Sequence, residues 1–217
     1  MNEQRRPRGP YRKGIERRAR IVESASRVFA AEGYHGTLKQ VADLVGVTPA
    51  AVVALFGSKE GLLIEVLQAW GAAQLPPSEP AGVEDPLASW RRLMGYHVEH
   101  RGLLRLYLRL ATEATSPSHP AHDWIVERNR ATVAGLESHL RAGAAAGEIA
   151  DLGDARIAAE ARNLLAVIEG LEMQWILDER VDLVGLVSLA LEQALGRLRP
   201  ESPDPPRIRD DGAAPVR

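Results

Sequence analysis

Apolar positions recur at three- and four-residue steps through most of this chain, and no segment alternates in the two-residue rhythm of a strand. From Ile15 the pattern turns helical, with Ile21, Ala25, Val28 and Phe29 forming one stripe that Gly33 ends. Thr37 has the chemistry of an N-cap for a short helix turning Leu38, Val41, Ala42 and Val45 inward, and Gly46 stops it. Thr48 caps a third helix, with Pro49 in the first turn where a missing N–H costs nothing. That helix runs to Phe56. Ser58 caps a fourth, with Glu60 well placed for the helix dipole and Leu62, Leu63, Val66, Leu67 and Trp70 on its apolar face. After a proline-rich stretch over 74–86, helices are predicted at roughly 86–100, 101–116, 120–145, 154–178 and 182–198.

The fold class expected is therefore all-α, with about nine helices: an N-terminal three-helix helix-turn-helix domain, then a helical ligand-binding and dimerisation bundle. The expected divisions are a flexible basic arm (1–14), a helix-turn-helix domain (15–60), an effector and dimerisation domain (61–198) and a disordered tail (199–217). The last two helices carry wide apolar faces, with Leu164, Ile168, Leu171 and Trp175 on one and Val187, Leu191 and Leu195 on the other. Faces that broad exceed what one partner helix covers, so residues 154–198 are expected to pair with the same helices of a second subunit.

Composition narrows the function. Among 217 residues there is no cysteine, which removes disulfides, thiolate catalysis and cysteine-based zinc sites and fits a cytoplasmic setting. No apolar run is long enough to span a membrane, and no signal core follows the basic N-terminus. The net charge of −2 conceals an asymmetry. Residues 1–60 hold 11 Lys/Arg against 6 Asp/Glu, and the remainder holds 16 against 23. A basic front on an acidic body suits contact with a polyanion at one end, as well as a merely solvated tail.

The glycines, caps and apolar positions from Arg20 to Leu67 (RIVESASRVFAAEGYHGTLKQVADLVGVTPAAVVALFGSKEGLLIEVL) closely resemble the DNA-binding domain of TetR-family regulators. Matching elements include Gly33-Tyr34, Val41-Ala42, Gly46-Val47-Thr48 and Phe56-Gly57-Ser58-Lys59-Glu60. A weaker likeness covers Ala166–Leu177 and Val181-Asp182-Leu183, which look like the last two helices of that family's ligand domain. The resemblance implies a transcriptional regulator, usually a repressor, that binds a palindromic operator in double-stranded DNA as a homodimer and is released by a small-molecule effector. It also implies DNA contacts from Thr37, Lys39, Gln40, Thr48, Pro49, Ala50, Ala51, Val53, Ala54 and Lys59. For the two threonines, capping alone is the competing role. Two departures stand out. The loop before the second helix is one residue short, and the recognition helix is apolar, with Val53 and Leu55 where many relatives carry tyrosine or histidine. Methyl-bearing side chains can read thymine methyl groups but make no bidentate hydrogen bonds. Arg12 and Lys13, with Arg5, Arg6 and Arg8, are the residues expected to compensate from the arm, on phosphates or in a minor groove.

Candidate effector contacts are polar or aromatic residues inside otherwise apolar helices: Trp90, Met94, His97, Tyr107, Glu113, Trp124, Asn163, Glu169 and Trp175. Each competes with a plain core or surface role. His97/His100 and His119/His122 have no third ligand nearby in sequence, so no metal is expected, and no cofactor. The chain has no GxGxxG, GxxxxGK, GxSxG or HExxH motif, so no enzyme is expected. The remaining alternative is a helical interaction protein without sequence-specific DNA binding, which the apolar recognition helix favours.

Overall fold

A computed structural model describes residues 10–74 and 86–200, and every regular element among them is helical. In order these are α1 (Pro10–Glu32), a 3-10 turn (Gly33–His35), α2 (Leu38–Val45), α3 (Pro49–Phe56), α4 (Lys59–Gln74), α5 (Pro86–Glu99), α6 (Arg101–Glu113), α7 (His122–Ala145), α8 (Gly153–Leu177) and α9 (Leu183–Leu198). Arg5, Arg6 and Arg8 lie outside the described residues, as does nearly all of the expected tail.

One expectation needs correcting. The helix expected from Ile15 begins at Pro10, so Arg12 and Lys13 stand on α1 and not on a flexible arm. A proline in the first turn loses no intrahelical hydrogen bond. Arg12 pairs with Glu16 one turn on, at 2.8 Å. The apolar stripe starts later only because this end of α1 projects past the core, leaving Ile15 53% exposed.

The stripe itself packs as its period requires. Ile21, Ala25 and Phe29 are fully buried with Val41, Ala42, Val52, Leu62 and Leu63, which closes α1–α4 into one small domain core. That core runs on without a break into the larger bundle through α4 and α6, whose Leu67, Leu104, Leu106 and Leu110 are also buried. α6 crosses α1 very closely: a Cβ on Gly102 would sit 2.1 Å from the Ala30 carbonyl oxygen, so only glycine fits. Behind it α7 packs on α8, and α9 packs on both α8 and α5. Arg91 of α5 reaches α9, donating to Ser188 at 3.1 Å and to Glu192 at 2.8 Å.

α4 belongs to both halves. Its first residue, Lys59, meets the turn after α1, and Trp70 near its other end meets α5, α6 and α7. A boundary drawn at residue 60 therefore cuts a helix that both parts share.

Candidate DNA-reading face and effector cluster

α2 and α3 meet at 105°, within the range of helix-turn-helix pairs. Gly46 makes the corner with φ 72°, a left-handed conformation that a side chain would strain. Thr37 and Gln40 form a capping box. The Thr37 hydroxyl accepts from the Gln40 N–H at 3.2 Å, and the Gln40 side-chain oxygen accepts from the Thr37 N–H at 2.8 Å. The oxygen of Gln40, an expected groove contact, is thus committed to its own helix. Thr48 accepts from the Ala51 N–H at 3.2 Å, and Pro49 opens α3. Val52 and Phe56 anchor α3 in the core, while Thr48, Pro49, Ala50, Val53, Ala54 and Leu55 are exposed and Ala51 is half-buried. The outward surface of α3 is therefore made of small and apolar groups. Lys39 is exposed beside it, pairing with Asp43 at 2.7 Å.

The structure turns Lys59 in an unexpected direction. Its ammonium donates to the Tyr34 carbonyl oxygen and lies 4.4 Å from the centre of the Tyr34 ring. The Tyr34 hydroxyl donates to Glu60 at 3.0 Å. Partial burial lowers the Lys59 pKa. Burial also works to raise that of Glu60, but hydrogen bonds from its own N–H, Ser58 and Tyr34, with the charge of Lys59, bring it below the usual carboxylate range. In this conformation Lys59 latches α4 to the turn before α2 instead of pointing to a phosphate.

Arg18, one of the 11 basic residues in the first 60, is structural. It donates to the Leu55 carbonyl oxygen at 2.8 Å and to Glu65 at 2.5 Å, with its guanidinium 4.4 Å from the Phe56 ring centre. This fixes α1 against the last turn of α3. Lys13, Arg17 and Arg20 lie at i, i+4 and i+7 on another side of α1, all exposed and with no ion-pair partner among the described residues. Reading α1 from residue 10 would have exposed this stripe in the sequence.

In the C-terminal bundle, four of the candidates come together. The His97 Nδ1 lies 2.6 Å from Glu172 Oε1, with both side chains buried. The His97 ring stacks on Trp70 at 5.1 Å, and Tyr107 tilts against the same indole at 6.4 Å. The Arg128 guanidinium lies 4.9 Å from Tyr107, 5.9 Å from Trp70 and 6.0 Å from Trp124. Burial raises the pKa of Glu169, and Glu172 adds to this while Arg128 opposes it. Burial likewise raises Tyr107. His97, Tyr107, Trp124 and Glu169 thus surround Trp70, Arg128 and Glu172, three residues that sequence reasoning missed. Glu172 did leave a signal: it is a charge at a core position, four after Ile168 and three before Trp175.

The other candidates stand elsewhere. Glu113 pairs with Arg109 at 3.0 Å, near Tyr34. Asn163 is exposed on α8, Trp90 is half-buried on α5, and Met94 is plain core. Trp175 is buried with Arg101 5.6 Å from its ring centre. The other members of the two histidine pairs serve local backbone: His100 the Tyr96 carbonyl, His122 that of Ala114, and His119 the Ala121 N–H. A groove of about 720 Å³ opens between α1 and α4 and touches none of the nine candidates. Large apolar side chains stay exposed on the last two helices: Val167 45%, Met173 39% and Leu177 79% on α8, and Leu186 38% and Leu189 48% on α9. Among the described residues no single helix is long and apolar enough to cross a membrane.

Residues 21–66 match the model of the tetR family of bacterial regulatory proteins. Solved structures similar over most of the chain include a putative TetR-family transcriptional regulator from Rhodococcus sp., with TM-score 0.67 and 22% identity over 83% of this chain and 99% of that one. SmeT, the repressor of the Stenotrophomonas maltophilia multidrug efflux pump SmeDEF, has TM-score 0.64 and 20% identity over 85% and 91%. A structure described under the molecular basis for control of antibiotic production by bacterial hormones has TM-score 0.61 and 29% identity over 86% and 99%. No curated protein sequence matches the chain. Residues 21–66 thus carry the N-terminal domain of the tetR family of bacterial regulatory proteins, and over most of its length the chain has the fold seen in TetR-family regulators.

Proposed function

We propose that this regulator is a repressor which binds a palindromic operator as a homodimer, in the cytoplasm, and lets go when a small molecule enters its C-terminal bundle. The observation that carries the DNA-binding part is the 105° pair α2–α3, with both N-caps formed and the α3 surface open. Thr37, Thr48 and the exposed residues of α3 face the major groove, and Lys39 and the basic side of α1 meet phosphates. Homodimerisation is supported by the exposed apolar side chains on α8 and α9, which a two-fold pairing would cover. The cluster around His97, Tyr107, Trp124 and Glu169 supports an effector site, because buried polar groups converge there among aromatic rings. Binding and not catalysis is the work assigned to them. SmeT is by its description a repressor, which agrees with the direction proposed.

The test is a gel shift with the intergenic DNA upstream of the chain's own gene, run beside scrambled DNA of equal length. Preference for the upstream fragment, with two protomers per duplex, supports the proposal. Equal affinity for both fragments favours the second reading, a helical interaction protein. The observation on that side is the apolar surface of Leu44, Val53 and Leu55, exposed by 63%, 40% and 37%.

A further inference from the structure

Three aromatic rings from three helices close around one cation. The guanidinium of Arg128 on α7 lies 4.9 Å from the ring centre of Tyr107 on α6, 5.9 Å from that of Trp70 on α4 and 6.0 Å from that of Trp124 on its own helix. One turn along α7 Arg130 pairs with Glu127, but among the described residues Arg128 has no carboxylate within ion-pair distance. Ring faces hold its charge instead. Gly71 of α4 shapes the seat from a further side. A Cβ there would come 2.9 Å from Arg128 Nη1, so the missing side chain leaves room for the head of a guanidinium.

The surroundings of the seat select the sign of what can fill it. A ring face is the negative side of an aromatic quadrupole and attracts a cation. Glu169 is half-buried and close enough for its charge to act on Tyr107 and to be offset by Arg128. Glu172 is engaged by His97 at 2.6 Å, which leaves Glu169 as the carboxylate available to a ligand. Burial and the charge of Glu172 raise the Glu169 pKa in spite of Arg128, so negative charge there exceeds what that one cation offsets. An anion is opposed by both carboxylates and by the ring faces, and an uncharged molecule gains from neither. An organic cation is served by all of them. Nor is Arg128 locked in. It is half-buried, as Trp124 is, and its head is the far end of a long side chain that reaches solvent.

We propose that Arg128 is a resident stand-in, and that the cage of Trp70, Tyr107 and Trp124 binds a small organic cation of guanidinium size, which pairs with Glu169 and turns Arg128 out to solvent. The head of that cation takes the space the Arg128 guanidinium now fills and rests against the α4 backbone at Gly71. α4 is the helix that starts with Lys59, so the ligand touches an element shared with the N-terminal domain. As the effector that releases DNA, the cation rests on the regulatory reading above; as a ligand of the cage it does not.

The test uses the full chain and three probes with one tail and different heads: hexylguanidinium, 1-hexanol and hexanoate. Dissociation constants come from isothermal titration. Hexylguanidinium is expected to bind at least about tenfold tighter than either of the others, and Glu169→Gln to weaken it by about tenfold. Arg128→Met vacates the seat and is expected to tighten it by about tenfold, since nothing then has to be displaced. Should Arg128→Met unfold the protein, Gly71→Ala carries the test. Alanine suits a helix, and the atom in its way is the tip of a flexible side chain, so this variant keeps its melting temperature while its methyl group narrows the seat and weakens hexylguanidinium by about tenfold. Equal or tighter binding of hexanoate overturns the proposal, because it makes Arg128 an anion receptor. Weaker hexylguanidinium binding in a folded Arg128→Met protein overturns it too, as does an unchanged affinity in Glu169→Gln or Gly71→Ala. No binding of hexylguanidinium to the unaltered chain also overturns it, and leaves Arg128 a fixed strut. Operator affinity is measured separately in each case. Hexylguanidinium that binds the cage but leaves operator affinity unchanged upholds the site and removes its effector role, whereas failure to bind the operator at all overturns the regulatory reading alone.

Discussion

The guanidinium of Arg18 on α1 donates to the carbonyl oxygen of Leu55, 37 positions further on at the end of α3. Helix C-termini carry carbonyls without intrahelical partners and the negative end of the dipole, so a cation there satisfies both. The same side chain reaches Glu65 on α4 and covers Phe56, which ties three helices of the N-terminal domain together. Removing it in Arg18→Ala is expected to cost about 1–2 kcal/mol, the charged-bond value reduced for partial exposure. Urea unfolding measures the loss. Operator affinity should fall too, although Arg18 is not assigned to DNA, because α3 loses its brace.

The basic side of α1 gives a prediction of the opposite kind. The triple variant Lys13→Ala, Arg17→Ala, Arg20→Ala should leave stability unchanged and weaken operator and scrambled DNA alike. If all three side chains meet phosphates, the slope of log K against log salt becomes shallower by about 2.7, at about 0.9 per contact. An unaltered slope would show that α1 stays clear of the duplex.

Leu177, at 79% exposure, and Leu189, at 48%, are the natural places to test the pairing of the last two helices. Glutamate at both positions should leave the far-UV circular dichroism intact and convert a dimer to a monomer in sedimentation velocity. A dimer that survives both charges places the interface elsewhere.

Glu169 sets the sign of a pH effect. Its folded pKa is raised, so the native state holds its proton more tightly than the unfolded chain does. Its contribution is fully favourable below the unfolded value and is lost as pH rises through the raised folded one. Glu169→Gln should therefore stabilise the protein at neutral pH and leave it little changed in acid. Thermal melts of both proteins from pH 4 to pH 8 decide this, and parallel curves would sink the idea.

Gly102→Ala brings a methyl group against the Ala30 carbonyl oxygen at the α1–α6 crossing. Backbone there cannot yield as a side-chain tip does, so a loss of about 1–3 kcal/mol is expected in urea unfolding.

Much of this molecule was legible in its apolar rhythm. Ile21, Ala25, Phe29, Val41 and Val52 are all buried, and the caps at Thr37, Thr48 and Ser58 all form. Local rules suffice there, because a cap and a stripe depend on residues three or four positions apart. The long-range roles were hidden. Nothing in the sequence near Arg18 distinguishes it from Arg17, since its partners are 37 and 47 positions away. Lys59 bends back to a carbonyl 25 residues earlier, and Trp70 collects neighbours from three later helices. The start of α1 was misplaced because period reveals a helix only where one face is buried.

The outward side chains of α3, Ala50, Val53, Ala54 and Leu55, have a consequence for the DNA itself. A protein that reads by methyl contact senses carbon 5 of a pyrimidine and little else about that base. Uracil in place of thymine deletes the feature, and 5-methylcytosine reproduces it at a G·C pair. Under the proposed mode of operator binding, such a surface would make base methylation at the operator an input to regulation, one that a helix reading through arginine or asparagine would largely ignore.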